Sequence, residues 1–508
     1  MRNLFKLLSN RILIFGLSII LQALTLIIII YRFSNYMAYF YGLFTIISIL
    51  AVLYIVNKNG NPSYKIAWII PIMIFPVFGG LFYLLFGGIT PGTRNRKKMK
   101  VIEEKTTNAL GQNEDIIKII EQENMVAANQ SRYIEQNSMY PVYMNTTSEY
   151  LAIGESKFKI LLEELQKAEK YIFLEYFIIE EGIMWNSILD VLKEKASQGI
   201  DVRIIYDDIG CLMKLPYRYD KKLEKMGIKC EIFNPFIPIL SNRHNHRDHR
   251  KIVVIDGHTA ITGGINLADE YINAKRIYGH WKDSGILIKG DAVWSLTVMF
   301  LTVWDYLKEI DEDFNEYKPD IKFNKADGFV QPFSDSPLDN ESVGESVYLN
   351  LITQAQDYIY INTPYLILDS TMTRALCLAS QRGVNVKIVT PHIPDKWYVH
   401  SVSRSNYQVL IEAGIEIYEY TPGFMHSKTF VVDDKYGVVG TINLDYRSLF
   451  LHFECGVWLY KTNSIKQLKD DYLKTLKQCQ KVTLEDCKNV KLYIRLGRSI
   501  LRLFAPLM

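Results

Sequence analysis

The chain contains few cysteines and lacks the signatures of several common classes of site. Its six cysteines, in 508 residues, form no C-x-x-C pair and have no histidines at zinc-site spacing. It has no G-x-x-x-x-G-K-S/T loop for a nucleotide and no acidic cluster for magnesium. The 58 basic and 55 acidic residues leave a net charge of only +3, which argues against a nucleic-acid coat. We therefore expect reduced thiols, no metal, no cofactor and no nucleic-acid partner.

Apolar residues are concentrated near the N-terminus. Segments 12–31 and 36–56 are each long enough to span a bilayer, and we predict that both are transmembrane helices. A third segment, 66–89, contains Pro71, Pro76 and two Gly-Gly pairs, so it is either a kinked span or a re-entrant segment. A secretory signal peptide is the alternative for the first segment, but no small-x-small cleavage site follows it.

The predicted membrane region therefore covers residues 1–90. A basic cluster from Arg94 to Lys100 follows it and is expected on the cytoplasmic side. Residues 91–140 are polar with helical spacing in EDIIKIIEQEN, which predicts a basic, helical connector with solvated helices. These features predict a multi-pass membrane protein whose remaining part is cytoplasmic.

One pattern, His-x-Lys-x-x-x-x-Asp, occurs twice. A single match could arise by chance, but each copy is followed at the same distance by a glycine turn that ends in asparagine, GGIN or GTIN. Two copies predict an active site with two histidines. The residues are His249, Lys251, Asp256 and Asn266 in the first copy, and His426, Lys428, Asp433 and Asn443 in the second.

Each motif lies on a short apolar run, KIVVI or KTFVV, which predicts a buried strand. Because side chains alternate along a strand, His249 and Lys251 share one face, a pair suited to a phosphate. Asp256 and Asp433 lie at odd offsets from their histidines and should point to the other face. We therefore expect these aspartates to be structural unless a bulge re-aims them.

The sequence around the motifs also repeats. YIFLEYFI near Glu175 is echoed by YIYINTPYLI near Asn362, and GIDVRIIYDD by GVNVKIVTPH. Helical stretches alternate with these strands, which predicts two α/β halves, 141–325 and 326–490, each with a mainly parallel sheet. We expect the two halves to face each other across the active site.

With these motifs the chain closely resembles the phospholipase D superfamily, and within it the bacterial cardiolipin synthases. The resemblance extends through NPSYKIAW, FNPFIPIL, HWKDSGILIKGDAVW, NTPYLILD and GTINLDYRSL. It implies two tandem phospholipase D-like α/β halves, preceded by N-terminal transmembrane helices, in a bacterial cell membrane. It also implies phosphatidyl transfer between two phosphatidylglycerol molecules, which gives cardiolipin and glycerol through a phosphohistidine. The motifs alone do not separate this activity from a hydrolytic phospholipase D, a nuclease or another phosphatidyltransferase.

The resemblance further implies roles for individual residues. It favours His249 as the nucleophile and His426 as the general acid. The motif lysines and asparagines would hold the non-bridging phosphate oxygens. Glu454 in FECG and Asp283 in HWKD are candidates to orient the histidines, with a structural salt bridge as the alternative. One departure is His452, where similar enzymes usually carry asparagine.

Two further features leave alternatives open. The tail, residues 491–508, places basic residues among apolar ones at helical spacing, so it either lies on anionic lipid or packs on the globular part. His244, His246 and His280 lie near the first motif, and we interpret the run RHNHRDHR as a polar approach to the site rather than as metal ligands. No obligate protein partner is expected, since one chain carries both motifs.

Overall fold

A computed structural model of the chain describes residues 37–87, 93–111, 114–237, 242–319, 327–338 and 341–507, with scattered positions at 16–28 and 321–325. The chain divides into two compact units. The first comprises Met1–Thr90, Pro235–His244 and Leu507, and the second comprises Pro91–Asn234, Asn245–Pro506 and Met508.

The described part of the first unit is helical. Its helices are α1 (Met37–Asn57), α2 (Pro62–Ile74) and α3 (Pro76–Phe86). The Asn61 side chain caps α2 by accepting a 3.0 Å hydrogen bond from the Ser63 amide. The chain bends at Phe75, where Pro76 starts α3 because its fixed φ suits the first turn of a helix.

The predicted transmembrane helices are not supported by this part of the structure. Segment 12–31 lies largely outside the described residues. Segment 36–56 corresponds to α1, while 66–89 is divided at Phe75 between helices of 13 and 11 residues. At 1.5 Å per residue, each is well short of a hydrocarbon core about 30 Å thick. Within the described residues, no helix combines the length and apolarity needed to cross a bilayer.

The second unit contains two α/β halves preceded by three helices. The leading helices are α4 (Thr93–Ala109), α5 (Glu114–Glu123) and α6 (Met125–Ser138). The helices of the first half are α7 (Gly154–Gln166), α8 (Ile183–Ser197), α9 (Asp208–Cys211), α10 (Tyr219–Glu224) and α11 (Val293–Lys308). Those of the second half and tail are α12 (Val343–Gln354), α13 (Ser370–Gln381), α14 (Trp397–Glu412), α15 (Tyr446–Phe450), α16 (Asn463–Leu476), α17 (Leu484–Lys488) and α18 (Leu492–Leu503).

Each half is built on one large sheet. The strands of the first half are β1 (Thr146–Leu151), β2 (Tyr171–Tyr176), β3 (Asp201–Asp207), β4 (Lys229–Phe233), β5 (Lys251–Ile255), β6 (Thr259–Gly263), β7 (His280–Lys282) and β8 (Gly285–Gly290). Those of the second are β9 (Phe329–Asp335), β10 (Tyr358–Asn362), β11 (Asn385–Pro391), β12 (Glu416–Tyr420), β13 (Gly423–Met425), β14 (Thr429–Val432), β15 (Tyr436–Gly440), β16 (Glu454–Tyr460) and β17 (Cys479–Lys481). The orders are β1-β8-β6-β5-β2-β3-β4 and β17-β12-β11-β10-β14-β15-β16-β9, and β13 pairs with β7.

The prediction of mainly parallel sheets was wrong. Only β2-β3-β4 and β10-β11-β12 run parallel within the two sheets, and the other neighbouring strands are antiparallel. The reason is local, because the motif strands β5 and β14 each turn back through a tight hairpin into β6 and β15. Tight hairpins join only antiparallel strands.

The stretch predicted as a solvated connector is partly core. Ile117 and Ile120 of α5 and Ile134 of α6 are buried in the hydrophobic core that also contains the second half's Val347 and Ile359. The i, i+3 spacing of the two α5 isoleucines gives the helix an apolar face, and that face is what packs. The charged residues of the same helix give it its polar composition.

Candidate active site

Both motifs end in the same kind of turn. Asp256 and Gly257 have φ angles of +51° and +68°, and Asp433 and Asp434 have +53° and +56°. Positive φ at both central residues is the requirement of a type I′ hairpin turn. Each motif aspartate is therefore the first turn residue of the hairpin that follows its motif strand.

The motif aspartates bind backbone. The Asp256 carboxylate accepts hydrogen bonds of 2.8 Å from the amides of Glu169, Lys170 and Tyr171, at the start of β2. Asp433 does the same at the start of β10, at 2.7 to 2.9 Å. These contacts join each hairpin to the neighbouring strand.

Two short parallel strand pairings join the halves beside the histidines. Asp248 forms a parallel bridge with Phe453, and β7 pairs in parallel with β13, with Lys282 opposite Met425. The His249 amide donates to the Phe453 carbonyl at 2.9 Å, and the His426 amide donates to the Lys282 carbonyl at 2.7 Å. The residue that follows each bridge is a motif histidine on one strand and a carboxylate on the other.

This pairing places a carboxylate of one half against the histidine of the other. His249 Nδ1 lies 2.9 and 3.0 Å from the two Glu454 oxygens, and His426 Nδ1 lies 2.6 Å from Asp283 Oδ2. Both carboxylates are fully buried. Since a carboxylate accepts, each Nδ1 carries the proton and each Nε2 is left with a lone pair.

The motif lysines are buried with the histidines. Lys251 and Lys428 each donate from Nζ to the backbone carbonyl of their own motif histidine. Lys428 Nζ also lies 2.8 Å from His426 Nδ1. Burial lowers the pKa of Lys251 to about 7 and that of Lys428 to about 8, and Lys428 adds to the shift at Lys251. The two motifs are thus close enough to interact electrostatically.

Burial also sets the charge of the histidines. It lowers the pKa of His249 to about 3 and that of His426 to about 4, with the motif lysines adding to both shifts. Burial alone would raise the pKa of the Glu454 and Asp283 carboxyls, but their interactions with His249, and with Lys428 and His426, lower both. At neutral pH the site therefore contains neutral imidazoles held by ionised carboxylates.

Aromatic side chains account for much of this burial around His426. The ring centroids of Tyr271, Trp281 and Phe424 lie 5.7, 5.2 and 5.6 Å from that of His426. On the other side, the Phe177 ring centroid lies 5.1 Å from that of His249. These rings exclude water from the histidines and strengthen electrostatic interactions there.

The two motif asparagines are in different environments. Asn266 accepts a 3.0 Å hydrogen bond from the Ile178 amide and donates to the Tyr271 hydroxyl at 2.7 Å. The Asn443 Oδ1 atom is buried without a hydrogen-bond partner in the described part of the chain. Asn266 therefore also holds the ring that packs near His426, a contact that the motif spacing did not predict.

Sequence reasoning missed a difference between the two carboxylate sites. The Thr441 hydroxyl of GTIN donates to Glu454, whereas the corresponding residue of GGIN is Gly264. A Cβ atom on Gly264 would lie 2.2 Å from Asp283 Oδ1, so the carboxylate occupies the space that a side chain would need. The one-letter difference between GGIN and GTIN was the available signal.

The run RHNHRDHR is not an open polar approach. The Arg247 guanidinium pairs with the Asp207 carboxylate at 3.3 Å, and Arg250 Nε lies 2.9 Å from Glu175 and 3.0 Å from Asp248. All five side chains are buried. Arg247, Asp248 and Arg250 of the run therefore belong to a buried ion-pair network at the first motif.

Among the described residues, one group of side chains has the geometry of a metal site. It contains none of the three histidines that the sequence analysis considered as metal ligands, His244, His246 and His280. Potential ligand atoms of His249, His452 and Glu454 all lie within 4.8 Å of one another. His280 instead contacts the Tyr420 hydroxyl at 3.0 Å, and His246 contacts the Leu451 carbonyl at 3.2 Å.

Comparison with known proteins agrees with this architecture. Residues 161–284 and 348–476 match the family described as "Cardiolipin synthase, PLD-like domain", and residues 46–88 match "Phospholipase_D-nuclease N-terminal". A cardiolipin synthase of Alkalihalophilus pseudofirmus is 33% identical over 92% of this chain and 93% of its own length. The chain belongs to the cardiolipin synthase family.

Other relatives extend the comparison. An uncharacterized protein of Streptococcus mutans is 43% identical over 90% of this chain and 99% of its own length. A cardiolipin synthase of a Geobacillus strain is 35% identical over 91% of this chain and 92% of its own. The crystal structure of phosphatidylserine synthase from Haemophilus influenzae covers 74% of this chain and 98% of its own, with a TM-score of 0.55 and 17% identity, a likeness of fold.

Proposed function

We propose that this member of the family is a cardiolipin synthase. It transfers a phosphatidyl group from one phosphatidylglycerol to a hydroxyl of a second and releases glycerol. The observation that carries the proposal is the pair of buried histidines, each held at Nδ1 by a carboxylate of the opposite half. The curated relatives named cardiolipin synthase match nearly the whole chain, which supports the choice of substrate.

In the first step, His249 Nε2 attacks the phosphorus of phosphatidylglycerol. The bond from phosphorus to the glycerol oxygen breaks, and His426 Nε2 gives its proton to that oxygen. His426 must first be protonated, and the bound phosphodiester anion favours this by raising the proton affinity of the imidazole. Glu454 stabilises the positive charge that forms on His249.

In the second step, His426 takes the proton of a glycerol hydroxyl on the second phosphatidylglycerol. That oxygen attacks the phosphohistidine, the P–N bond breaks, and cardiolipin leaves with His249 restored. Lys251, Lys428 and the motif asparagines stabilise the charge on the non-bridging oxygens. One phosphodiester replaces another, so the exchange is close to neutral in free energy and needs no nucleotide.

The motif aspartates have a supporting role in this mechanism. Asp256 and Asp433 bind backbone amides of the strands beside the motif strands, and so hold the hairpins that carry the histidines. We assign them to the structure of the site rather than to proton transfer.

Two apolar surfaces support attachment to a membrane, which keeps both lipid substrates within reach. In α1, Leu43, Ile46, Leu50 and Leu53 are more than half exposed. In α18, Leu492, Leu496 and Ile500 form one exposed stripe at four-residue spacing, while Leu501 packs against the core near Val399. The tail thus packs by one face and leaves its other apolar face for anionic lipid. We place the unit with the two sheets on the cytoplasmic side.

The decisive experiment supplies labelled phosphatidylglycerol in mixed micelles with a chelator and compares the parent with His249→Ala. Cardiolipin and glycerol, formed by the parent and absent with the variant, support the proposal. Phosphatidic acid without cardiolipin would make the chain a hydrolytic phospholipase D. Transfer to serine or another alcohol in preference to phosphatidylglycerol would make it a different phosphatidyltransferase.

A further inference from the structure

His452 lies beside the His249–Glu454 pair and has no role in the reaction above. Its side chain is only 11% exposed, and neither ring nitrogen has a hydrogen-bond partner among the described residues. Nδ1 lies 3.8 Å from Glu454 Oε1, and the ring centroid lies 5.6 Å from that of His249. Buried polar groups are normally satisfied, so these two nitrogens need an explanation.

The three side chains together form a metal-ligand set. Two imidazoles and one carboxylate are the protein ligands of many catalytic zinc sites, with bonds of about 2.0 to 2.2 Å. In a tetrahedron of that size the ligand atoms are about 3.3 Å apart. The atoms here lie within 4.8 Å of one another, and the His452 to Glu454 pair is at 3.8 Å. Closure therefore needs a small rotation of the His452 ring, whose Nδ1 lies 3.8 Å from Glu454 Oε1, a separation longer than a hydrogen bond.

Nearby charges moderate the affinity. The Thr441 hydroxyl donates to the Glu454 carboxylate and holds it in place. Lys251 donates to the His249 backbone carbonyl, and its ammonium opposes a dication nearby. His249 can ligate through Nδ1 once its proton moves to the other ring nitrogen. Because the Lys251 charge and the proton transfer within His249 oppose the attraction of Glu454, we expect reversible binding of the ion rather than a permanently bound metal.

We propose that His249, His452 and Glu454 bind a divalent transition-metal ion, best Zn²⁺. Ligation through His249 Nδ1 leaves the proton on Nε2, the atom that attacks phosphorus, and the ion thereby inhibits the enzyme. The metal takes no part in the transfer reaction. The inhibitory effect rests on the proposed function of His249, whereas the binding site itself does not. The activity of the enzyme would therefore fall as the concentration of free Zn²⁺ rises.

The test measures binding and inhibition separately on the full-length protein in detergent micelles. Zn²⁺ binding is titrated by calorimetry after chelator treatment, and cardiolipin formation is followed at buffered Zn²⁺ concentrations. The variants are His452→Asn and, as a matched control, His392→Asn. His392 is not one of the proposed ligands, and its Nδ1 lies 3.1 Å from a Glu419 carboxylate oxygen. We expect one Zn²⁺ per chain in the parent and the control, and at least roughly tenfold weaker binding and inhibition in His452→Asn.

Equal Zn²⁺ affinity of the parent and His452→Asn would overturn the inference. If that variant fails to fold, zinc X-ray absorption on the parent decides the question, because the site requires two imidazole ligands and fewer would exclude it. If the parent binds Zn²⁺ through His452 but makes no cardiolipin, the proposed function fails while the metal site stands.

Discussion

The His249 imidazole in the first half donates from Nδ1 to Glu454 in the second half, at 2.9 Å and across 205 residues of sequence. The converse contact joins His426 to Asp283 at 2.6 Å across 143 residues. Neither motif histidine is therefore oriented by a carboxylate of its own half. In the proposed mechanism, each half therefore needs the other before its histidine can act, and the docking of the halves completes the site.

Neutralising either orienting carboxylate should reduce turnover more than substrate binding. For Glu454→Gln we expect kcat to fall by about a hundredfold or more with little change in KM, because the amide cannot stabilise a charged imidazole. Asp283→Asn should act similarly through His426. Initial rates over a range of phosphatidylglycerol concentrations check this, with Glu416→Gln, a partly exposed ion-pair residue, as the control. Full turnover in both site variants would contradict the orienting role.

The phosphohistidine should form on His249. With a phosphatidyl ester of p-nitrophenol, the leaving group needs no acid, so His426→Ala should release about one equivalent of nitrophenol per chain and then stop. Peptide mass spectrometry should find the phosphatidyl group on His249. A modified His426 in the converse variant, His249→Ala, with no burst in His426→Ala, would reverse the assignment.

The glycine and threonine of the two turns should not be interchangeable. Gly264→Thr should abolish activity, since even a Cβ there would lie 2.2 Å from Asp283 Oδ1 and would displace the carboxylate from His426. Thr441→Val keeps the shape but removes the hydroxyl that donates to Glu454, and we expect a rate loss of roughly tenfold. Relative rates and thermal melting, measured together, separate loss of chemistry from loss of folding.

Activity should decline at alkaline pH. The Lys428 pKa is lowered to about 8, so the ammonium that would hold the phosphate is charged below that pH and is lost above it. Because the Lys251 pKa is lowered to about 7, we expect kcat/KM, measured with a chelator present, to fall in two parts as pH rises through about 7 and about 8. Lys428→Arg should remove the second part of the decline, whatever its effect on the maximum rate, since arginine stays charged. An identical alkaline limb in that variant would exclude Lys428 as its source.

Removing a motif aspartate should affect stability first. Asp256→Ala loses three backbone hydrogen bonds to a carboxylate and places alanine at φ +51°, so we expect a loss of about 3 kcal/mol in unfolding free energy. Asp256→Asn should lose less, because asparagine tolerates that φ and keeps one acceptor oxygen. Thermal melting and rate per folded molecule are the measurements. A large loss of rate in a fully stable Asp256→Asn would instead indicate a chemical role.

The exposed apolar stripe of α18 should contact anionic lipid. In nanodiscs of phosphatidylglycerol, the amides of 492–503 should exchange hydrogen more slowly than in nanodiscs of phosphatidylcholine. Leu496→Glu combined with Ile500→Glu should abolish the difference, while Asn489→Glu, exposed just before the helix, should keep it. Equal amide hydrogen exchange of 492–503 in both lipids would contradict binding to anionic lipid. The role of the tail would then be to pack on α14.

Much of the site could be predicted from sequence because its elements are local. Strand parity placed each aspartate away from its histidine, and the repeated motif indicated two α/β halves. The parallel sheets were predicted wrongly because the turn residues of the hairpins were overlooked, although Asp256-Gly257 is a strong hairpin signal. The prediction that the connector helices are solvated was wrong for α5. Its composition is mostly polar, but Ile117 and Ile120 form an apolar face that is buried in the core.

Residue identity, spacing and duplication are properties of the linear chain, and they were enough to identify the side chains expected to carry the chemistry. The contacts of Glu454 with His249 and of Asp283 with His426 could be found only in the folded protein. The reason is that the strand pairings which carry these contacts, Asp248 with Phe453 and β7 with β13, join segments from different halves. Such pairings form when the halves dock, and burial at that contact is also what lowers the pKa of the histidines and lysines.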